Sequence, residues 1–245
     1  MRLFGLLGYP LTHSFSQKYF TEKFQTLGIT NAAYENFSIP TIEELSGILS
    51  TKKDLEGFNI TIPYKKAVLD FLNDWSEPVK KMGACNCVKI TDGKLKGFNT
   101  DVVGFQQSLQ PFLKPYHQKA LILGTGGASA AVEYVFQELK IPYQFVSRSA
   151  SSNAISYEEL SQDLMKDHQL VINTSPVGMY PQVDAVPNIP YQFLTPKHHL
   201  FDLIYNPSET KFLSLGKQHG ATIQNGFEML ILQAEESWRI WNESE

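Results

Sequence analysis

A chain of 245 residues, 42% hydrophobic and 19% charged, has the composition of an ordinary globular protein with one large or two modest domains, which excludes wholesale disorder. The net charge of −4 and the lack of any Lys/Arg run argue against nucleic acid and leave a small molecule as the expected partner. The apolar run within residues 1–10 is too short for a signal peptide, and no later run approaches the roughly 20 apolar residues of a membrane span, so no membrane partner and a cytoplasmic location are expected.

Residues 2–7 read as a buried strand, followed by a loop over 8–16. From Ser14 onward Phe15, Tyr19, Phe20, Phe24 and Leu27 recur at helical spacing, which makes Ser14 the expected N-cap and Gly28 the stop. A second strand is expected over 33–39. Thr41, with Glu44 three residues on, has the form of a capping box opening a short helix, and 57–62 gives a third strand. A helix is expected from Pro63, carrying Val68, Leu69, Phe71 and Leu72. Strands over 85–90 and 95–98 flank Asp92-Gly93, a hairpin signal. Cys85 and Cys87 are read as packing residues pointing to opposite or staggered faces. The six histidines show no ligand spacing, so no metal site is expected. Asp101 or Thr100 is placed to cap a helix over 102–113, the bridge to a second domain.

That domain centres on the apolar strand 120–123, which runs into Gly124-Thr125-Gly126-Gly127-Ala128-Ser129 and then a helix over 130–139. Glycines there let the backbone turn sharply and lie close to a ligand, and the helix start offers unpaired N–H groups to a phosphate. Ser129 stands where a strict G-x-G-x-x-G turn has its third glycine. At the tip of the next strand, 142–146, stand Ser147 and Arg148. An acidic residue there would take the ribose hydroxyls of NAD, whereas an arginine suits the 2′-phosphate of NADP; a solvated surface arginine is the plain alternative. Strands over 169–173 and 199–204, the loop 174–190, a helix ending at Gly220 and a short strand over 221–224 continue a parallel sheet. A closing helix, 227–241, aligns Phe227, Leu230, Ile231, Ala234, Trp238 and Trp241 on one apolar face, and its length implies docking back on the first domain. The expected fold is α/β with two domains. Residues 1–101, completed by 226–245, form an α/β substrate domain, and 102–225 a Rossmann-like dinucleotide domain.

Small polar groups cluster where open α/β sheets hold ligands. Ser14 and Ser16 stand at a helix start, Asn59, Thr61 and Lys65 run off a strand end, Asn86 lies in the hairpin, and Asn99-Thr100-Asp101 closes it. Gln233 interrupts the apolar closing helix. Each alone has a plain reading as a cap or a solvated side chain. Together they suit a polyhydroxylated acid, with a Lys/Asp couple able to relay the proton that accompanies hydride transfer.

These residues resemble shikimate dehydrogenase over nearly the whole chain. The resemblance rests on Gly8-Tyr9-Pro10-Leu11-Thr12-His13-Ser14-Phe15-Ser16, Phe58-Asn59-Ile60-Thr61-Ile62-Pro63-Tyr64-Lys65, Gly83-Ala84-Cys85-Asn86 and Phe98-Asn99-Thr100-Asp101 in the first domain. In the second it rests on Gly124-Thr125-Gly126-Gly127-Ala128, Asn173-Thr174-Ser175-Pro176-Val177-Gly178-Met179, Asp202-Leu203-Ile204-Tyr205-Asn206-Pro207, and Asn225-Gly226 with Met229, Leu230 and Gln233. It implies that Ser14, Ser16 and Tyr205 hold a carboxylate, that Thr61, Asn86, Asp101 and Gln233 hold hydroxyls, and that Lys65 with Asp101 moves the proton. It further implies that Leu203 and Gly226 lie by the nicotinamide and Glu77 near the cofactor, although Glu77 reads from its own surroundings as a solvated helix residue. Two departures stand out. Gln17 replaces a proline, and the family's Asn-Arg-Thr is Ser147-Arg148-Ser149 here, with Ser152 where a second basic residue often completes the phosphate clamp. The implied activity is NADPH-dependent reduction of 3-dehydroshikimate to shikimate, on the route to aromatic amino acids, by a monomer or homodimer. Its rivals are an NAD-using quinate/shikimate dehydrogenase, disfavoured by the lack of an acidic residue at Ser147 or Arg148, and a non-catalytic sensor, disfavoured by retention of both Lys65 and Asp101.

Overall fold

The computed structural model describes residues 1–11 and 14–243, so Thr12 and His13 of the first motif lie outside the described residues. It divides into two compact units, Met1–Thr100 with Ala234–Glu245, and Asp101–Gln233.

The first unit runs β1 (Arg2–Gly8), α1 (Phe15–Thr26), β2 (Ala32–Ser38), α2 (Leu45–Thr51), β3 (Leu55–Ile60), β4 (Asp74–Trp75), α3 (Glu77–Met82), β5 (Cys87–Thr91) and β6 (Lys94–Phe98). Its sheet has the order β2-β1-β3-β5-β6-β4. β1 is parallel to β2 and β3, while β5 is antiparallel to both β3 and β6. Ser14 caps α1 as its position implies, its Oγ accepting from the Gln17 N–H at 3.1 Å. Asp92 and Gly93 take φ of 51° and 74°, the positive pair that a two-residue hairpin turn needs.

Side chains alternate across the sheet. Leu3 and Leu7 join Phe58, Val88 and Cys85 in one core, and Phe4 and Leu6 join Phe20, Cys87, Trp241 and Ala234 in another. The two cysteines therefore do face apart, because β5 starts only at Cys87 and the Cys85 thiol turns back to the Cys87 carbonyl. Trp241 stacks on Phe4 with ring centroids 4.7 Å apart and donates its indole N–H to the Val88 carbonyl at 2.9 Å. Aromatic side chains of this kind bury roughly 150–250 Å² each, so they are the main attachment of the chain's last turns to this sheet. Lys23 holds both Glu235 oxygens at 2.7 Å, fixing α1 to the same segment.

Two expected elements differ. The turn after Thr41 is a 3-10 turn over Ile42–Glu44 that draws the Glu44 N–H to the Thr41 backbone carbonyl, and no side-chain cap forms. Residues 62–66 make a tight turn instead of a helix start, followed by a 3-10 helix over Ala67–Phe71.

The second unit carries α4 (Thr100–Leu109, whose first residue falls in the first unit), β7 (Ala120–Leu123), α5 (Ser129–Glu138), β8 (Tyr143–Ser147), β9 (Ala154–Ser156), α6 (Gln162–Asp167), β10 (Leu170–Asn173), β11 (His199–Asp202), α7 (Lys211–Gln218), β12 (Thr222–Gln224) and most of the first half of α8 (Phe227–Asn242). Thr100 and Asp101 both lie within α4, so neither precedes it as a cap. Pro111, which lacks an N–H, stands in the 3-10 turn that ends this segment. The sheet order is β12-β11-β10-β7-β8-β9 with every pair parallel. Strand order reverses between β7 and β10, the switch point where such sheets bind ligands. No helix among the described residues is long and apolar enough to cross a membrane, and no group of three or more His, Cys, Asp and Glu suited to a metal ion occurs among them.

The amino end of this sheet holds buried histidines. His199 bonds Thr222 Oγ1 at 2.9 Å and Gln224 Oε1 at 3.2 Å and stacks on Phe112. Burial pushes its imidazole down to about 4, and burial also lowers His117, His168 and His198. A depressed folded value means that the native state resists protonation, so stability present above about pH 6.5 is lost as pH falls toward 4, by about 3 kcal/mol for His199. Asp202, raised to about 6 by burial, acts in the opposite sense, its contribution shrinking as pH rises through 6. With several histidines against one carboxylate, the melting temperature should fall on acidification from pH 7 to 5, and His199→Gln should flatten that slope. An unchanged slope in the variant would contradict the assignment.

Candidate active site

The carboxyl ends of β7, β8 and β10 open on a cavity of about 720 Å³ in the second unit. It is lined by Gly124, Thr125 and Gly126 after β7, by Ser147, Arg148 and Ser149 at the end of β8, and by Thr174, Ser175, Pro176 and Val177 after β10. Val186, Pro187, Asn188 and Tyr157 complete the lining. Arg148 is the one charged residue among these, and no carboxylate lines the cavity among the described residues.

Gly124 takes φ +108°, and a Cβ there would come within 3.1 Å of Thr174 Oγ1, so this glycine is required by the turn and by its neighbour. Gly126 is different: a Cβ would meet nothing within 4 Å, so packing does not demand its bareness, which leaves backbone open to close approach by a ligand. Ser129 donates its hydroxyl to the Gly126 carbonyl at 2.7 Å, so the residue at the third motif position closes the turn. α5 starts behind Ala128 with no side-chain cap; its Ser129 N–H donates to the Gly126 carbonyl at 3.1 Å, so the N–H groups of the turn after it are the ones placed for an anion. Gly127 and Ala128 are exposed in this turn but do not line the cavity. The Ser147 hydroxyl donates to the Ser149 carbonyl and fixes the bend from which exposed Arg148 projects. An uncapped helix start, open backbone at Gly126 and a guanidinium without a competing carboxylate fit an adenine dinucleotide carrying a 2′-phosphate.

In the first unit, register gathers the other polar residues. Asn59 pairs with Cys87 and Cys87 with Phe98, so Thr61 after β3, Asn86 before β5 and Asn99 after β6 share one sheet edge. The loop after β1, which leads to Ser14 and Ser16, leaves from the same edge, since Thr61 N–H donates to the Leu7 carbonyl at 2.9 Å. Lys65 is half-buried in the turn beyond, its carbonyl accepting from Cys85 N–H at 2.8 Å. Asn86 Oδ1 accepts from the Thr100 N–H at 2.7 Å and its Nδ2 donates to Thr100 Oγ1 at 3.1 Å. Asn59 differs from its expected role as a substrate ligand. It is 5% exposed, its Oδ1 accepts from Tyr34 and its Nδ2 donates to Ser237 Oγ at 2.8 Å and to the Asn86 carbonyl at 3.3 Å, so it supports Asn86 from within the core.

Of the remaining expected residues, Glu77 is exposed in the first turn of α3, in keeping with a solvated helix residue. Asp101 is half-buried in the first turn of α4, Tyr205 is exposed beyond β11, and Gln233 is buried on α8 beside Gly104. Leu203 and Gly226 meet directly: a Cβ on Gly226 would lie 2.1 Å from the Leu203 carbonyl oxygen, and the Gly226 N–H donates to the Ile204 carbonyl at 3.1 Å. The cavity lining over residues 174–177 appears in the sequence as part of the loop 174–190 and as a family motif, and Tyr157 carries no signal there at all.

A family model described as the shikimate dehydrogenase substrate binding domain matches residues 6–88. The shikimate dehydrogenase (NADP(+)) of Methanococcus maripaludis is 37% identical over 98% of this chain and 91% of its own length. The chain belongs to the shikimate dehydrogenase family. The fold agrees with that of Thermus thermophilus shikimate 5-dehydrogenase, whose crystal structure is a complex with NADP(H) and shikimate, with a TM-score of 0.86 at 30% identity over 99% of this chain and 94% of the other. It is also similar to quinate dehydrogenase from Corynebacterium glutamicum in complex with NAD, with a TM-score of 0.88 at 25% identity over 98% and 93% of the two chains. These two similar structures are thus complexes with different cofactors, NADP(H) in one and NAD in the other.

Proposed function

We propose that this protein is a cytoplasmic NADP-dependent shikimate dehydrogenase that reduces 3-dehydroshikimate to shikimate. The observation that carries the cofactor choice is the cavity at the switch point, in which Arg148 stands without any carboxylate. A dehydrogenase selecting NAD would be expected to place a carboxylate on the ribose hydroxyls there, and the lining residues include none. The same absence weighs against the NAD-using quinate reading. Bound NADPH supplies the hydride. Gly124, Thr125 and Gly126 with the start of α5 would hold the pyrophosphate, and Ser147, Arg148 and Ser149 the 2′-phosphate end.

Ser14, Ser16 and Tyr205 are proposed to bind the substrate carboxylate, with Thr61, Asn86 and Gln233 on the ring hydroxyls. Lys65 and Asp101 carry the proton chemistry, half-buried Lys65 delivering a proton to the carbonyl oxygen as the hydride arrives at carbon. A sensor that only bound these ligands would have no use for that pair. Loss of reduced nicotinamide absorbance on mixing the protein, NADPH and 3-dehydroshikimate tests the reading, with shikimate the expected product; binding of both without turnover would support the sensor instead.

The serines separate two roles. Ser14→Ala should cost about 1 kcal/mol of stability through its cap as well as weakening shikimate. Ser16 has no cap bond to lose but its side chain is hydrogen-bonded to buried Tyr34, so Ser16→Ala should raise the shikimate KM with kcat nearly normal, the melting temperature reporting the lost Tyr34 bond; an unchanged KM would remove Ser16 from the carboxylate site.

A further inference from the structure

The carboxyl end of β11 holds a carboxylate that none of the proposed roles uses. Asp202 is fully buried. Its Oδ1 accepts from Asn173 Nδ2 at 3.0 Å and from the Ile204 N–H at 3.1 Å, and its Oδ2 accepts from the Thr210 hydroxyl at 2.6 Å. Thr210 is in turn the N-cap of α7. No cation is among these partners. A buried carboxylate held only by neutral donors costs desolvation, which is why burial raises it to about 6, and its retention needs an account beyond packing.

Asn173 gives that account. Its Nδ2 points to Asp202 and, at 3.4 Å, to the Val177 carbonyl, while its Oδ1 accepts from the Ser175 N–H at 3.1 Å and the Ser175 hydroxyl at 2.7 Å. These bonds fold the segment Thr174–Val177 into the wall of the dinucleotide cavity. Thr174 then reaches across the switch point, its hydroxyl donating to the Leu123 carbonyl at 2.9 Å beside the phosphate turn. An amide can be turned over, and the reversed Asn173 would set Nδ2 against the Ser175 N–H and leave that N–H without its acceptor. A carboxylate accepts and never donates, so it admits only one orientation of the amide beside it.

We infer that Asp202 is a positioning residue for the dinucleotide: by fixing the Asn173 amide it sets the cavity wall over residues 174–177 and so tunes cofactor affinity. The inference rests on the proposal that this cavity takes NADP. Asp202→Asn replaces an acceptor with a group that can donate, so that Asn173 can reverse with little change in volume.

Titration calorimetry of NADP+ on the full chain tests it. Wild-type protein that binds no NADP+ would overturn the cofactor reading itself. Given wild-type binding, Asp202→Asn should raise the Kd by about tenfold, the scale of one hydrogen bond to a charged group, with kcat at saturating substrates changed by less than roughly threefold. Because Asp202 acts through Asn173, the double variant Asp202→Asn/Asn173→Ala should bind no worse than Asn173→Ala alone. A Kd within twofold of wild type, or losses that add in the double variant, would overturn the inference. If Asp202→Asn does not fold, Asn173→Ala decides, since it removes the amide through which Asp202 acts: a Kd raised by about tenfold supports the role, and a Kd within twofold of wild type overturns it.

Discussion

Lys65→Ala should lower kcat for shikimate oxidation by a factor of about 10² to 10⁴ while altering the shikimate KM far less. Carbonyl reduction needs a proton as the hydride arrives, and alcohol oxidation needs its removal, so a group that moves this proton matters most in the transition state and little in the ground state. Lys65 sits in the tight turn of residues 62–66, its backbone carbonyl tied to the Cys85 N–H at 2.8 Å, so its side chain starts from a fixed point at the sheet edge that gathers Thr61 and Asn86. Lys65→Met keeps most of the stem and deletes the ammonium, and should behave alike. Melting temperature separates a folding defect from lost chemistry, since neither change removes a buried apolar group. A large rise in KM at nearly normal kcat in both variants would make Lys65 a uniform binding contact, with the proton then coming from Asp101 or water.

Arg148→Ala should raise the NADP KM by about tenfold to a hundredfold and leave the NAD KM nearly unchanged, the scale of a charge-assisted hydrogen bond to phosphate. The guanidinium is the one charged group in the cavity, and position 152, where the family often carries a second basic residue, is an exposed serine outside the lining. The 2′-phosphate therefore depends more heavily on this one side chain than a two-residue clamp would require. Equal loss with both cofactors would show that Arg148 is structural, or that the phosphate is recognised elsewhere.

What could be read from the sequence was local. The glycines at 124 and 126, the Ser14 cap and the Asp92-Gly93 turn each act within a few residues, so their chemistry is visible in order along the chain. What could not be read depends on partners far away. Asn59 stands among exposed-looking polar residues, yet its amide is bonded to Ser237, 178 positions later, which turns an expected ligand into a support. Tyr157 reaches the cavity only because the three-residue β9 pairs beside β8, and a strand of that length in a Ser/Asn-rich stretch leaves no periodic pattern. Thr41 and Glu44 have the letters of a capping box, but the local 3-10 turn claims the Glu44 N–H, whereas the box that does form joins Ser156 and Glu159.

The central claim, a dehydrogenase for shikimate selecting NADP through Arg148, is tested most directly by kcat/KM of the wild-type protein for shikimate and for quinate, each with NADP and with NAD. The account predicts that shikimate with NADP exceeds the other three combinations, and that exchanging NADP for NAD costs on the order of tenfold or more, the value of one phosphate contact. Highest efficiency with quinate and NAD would contradict it.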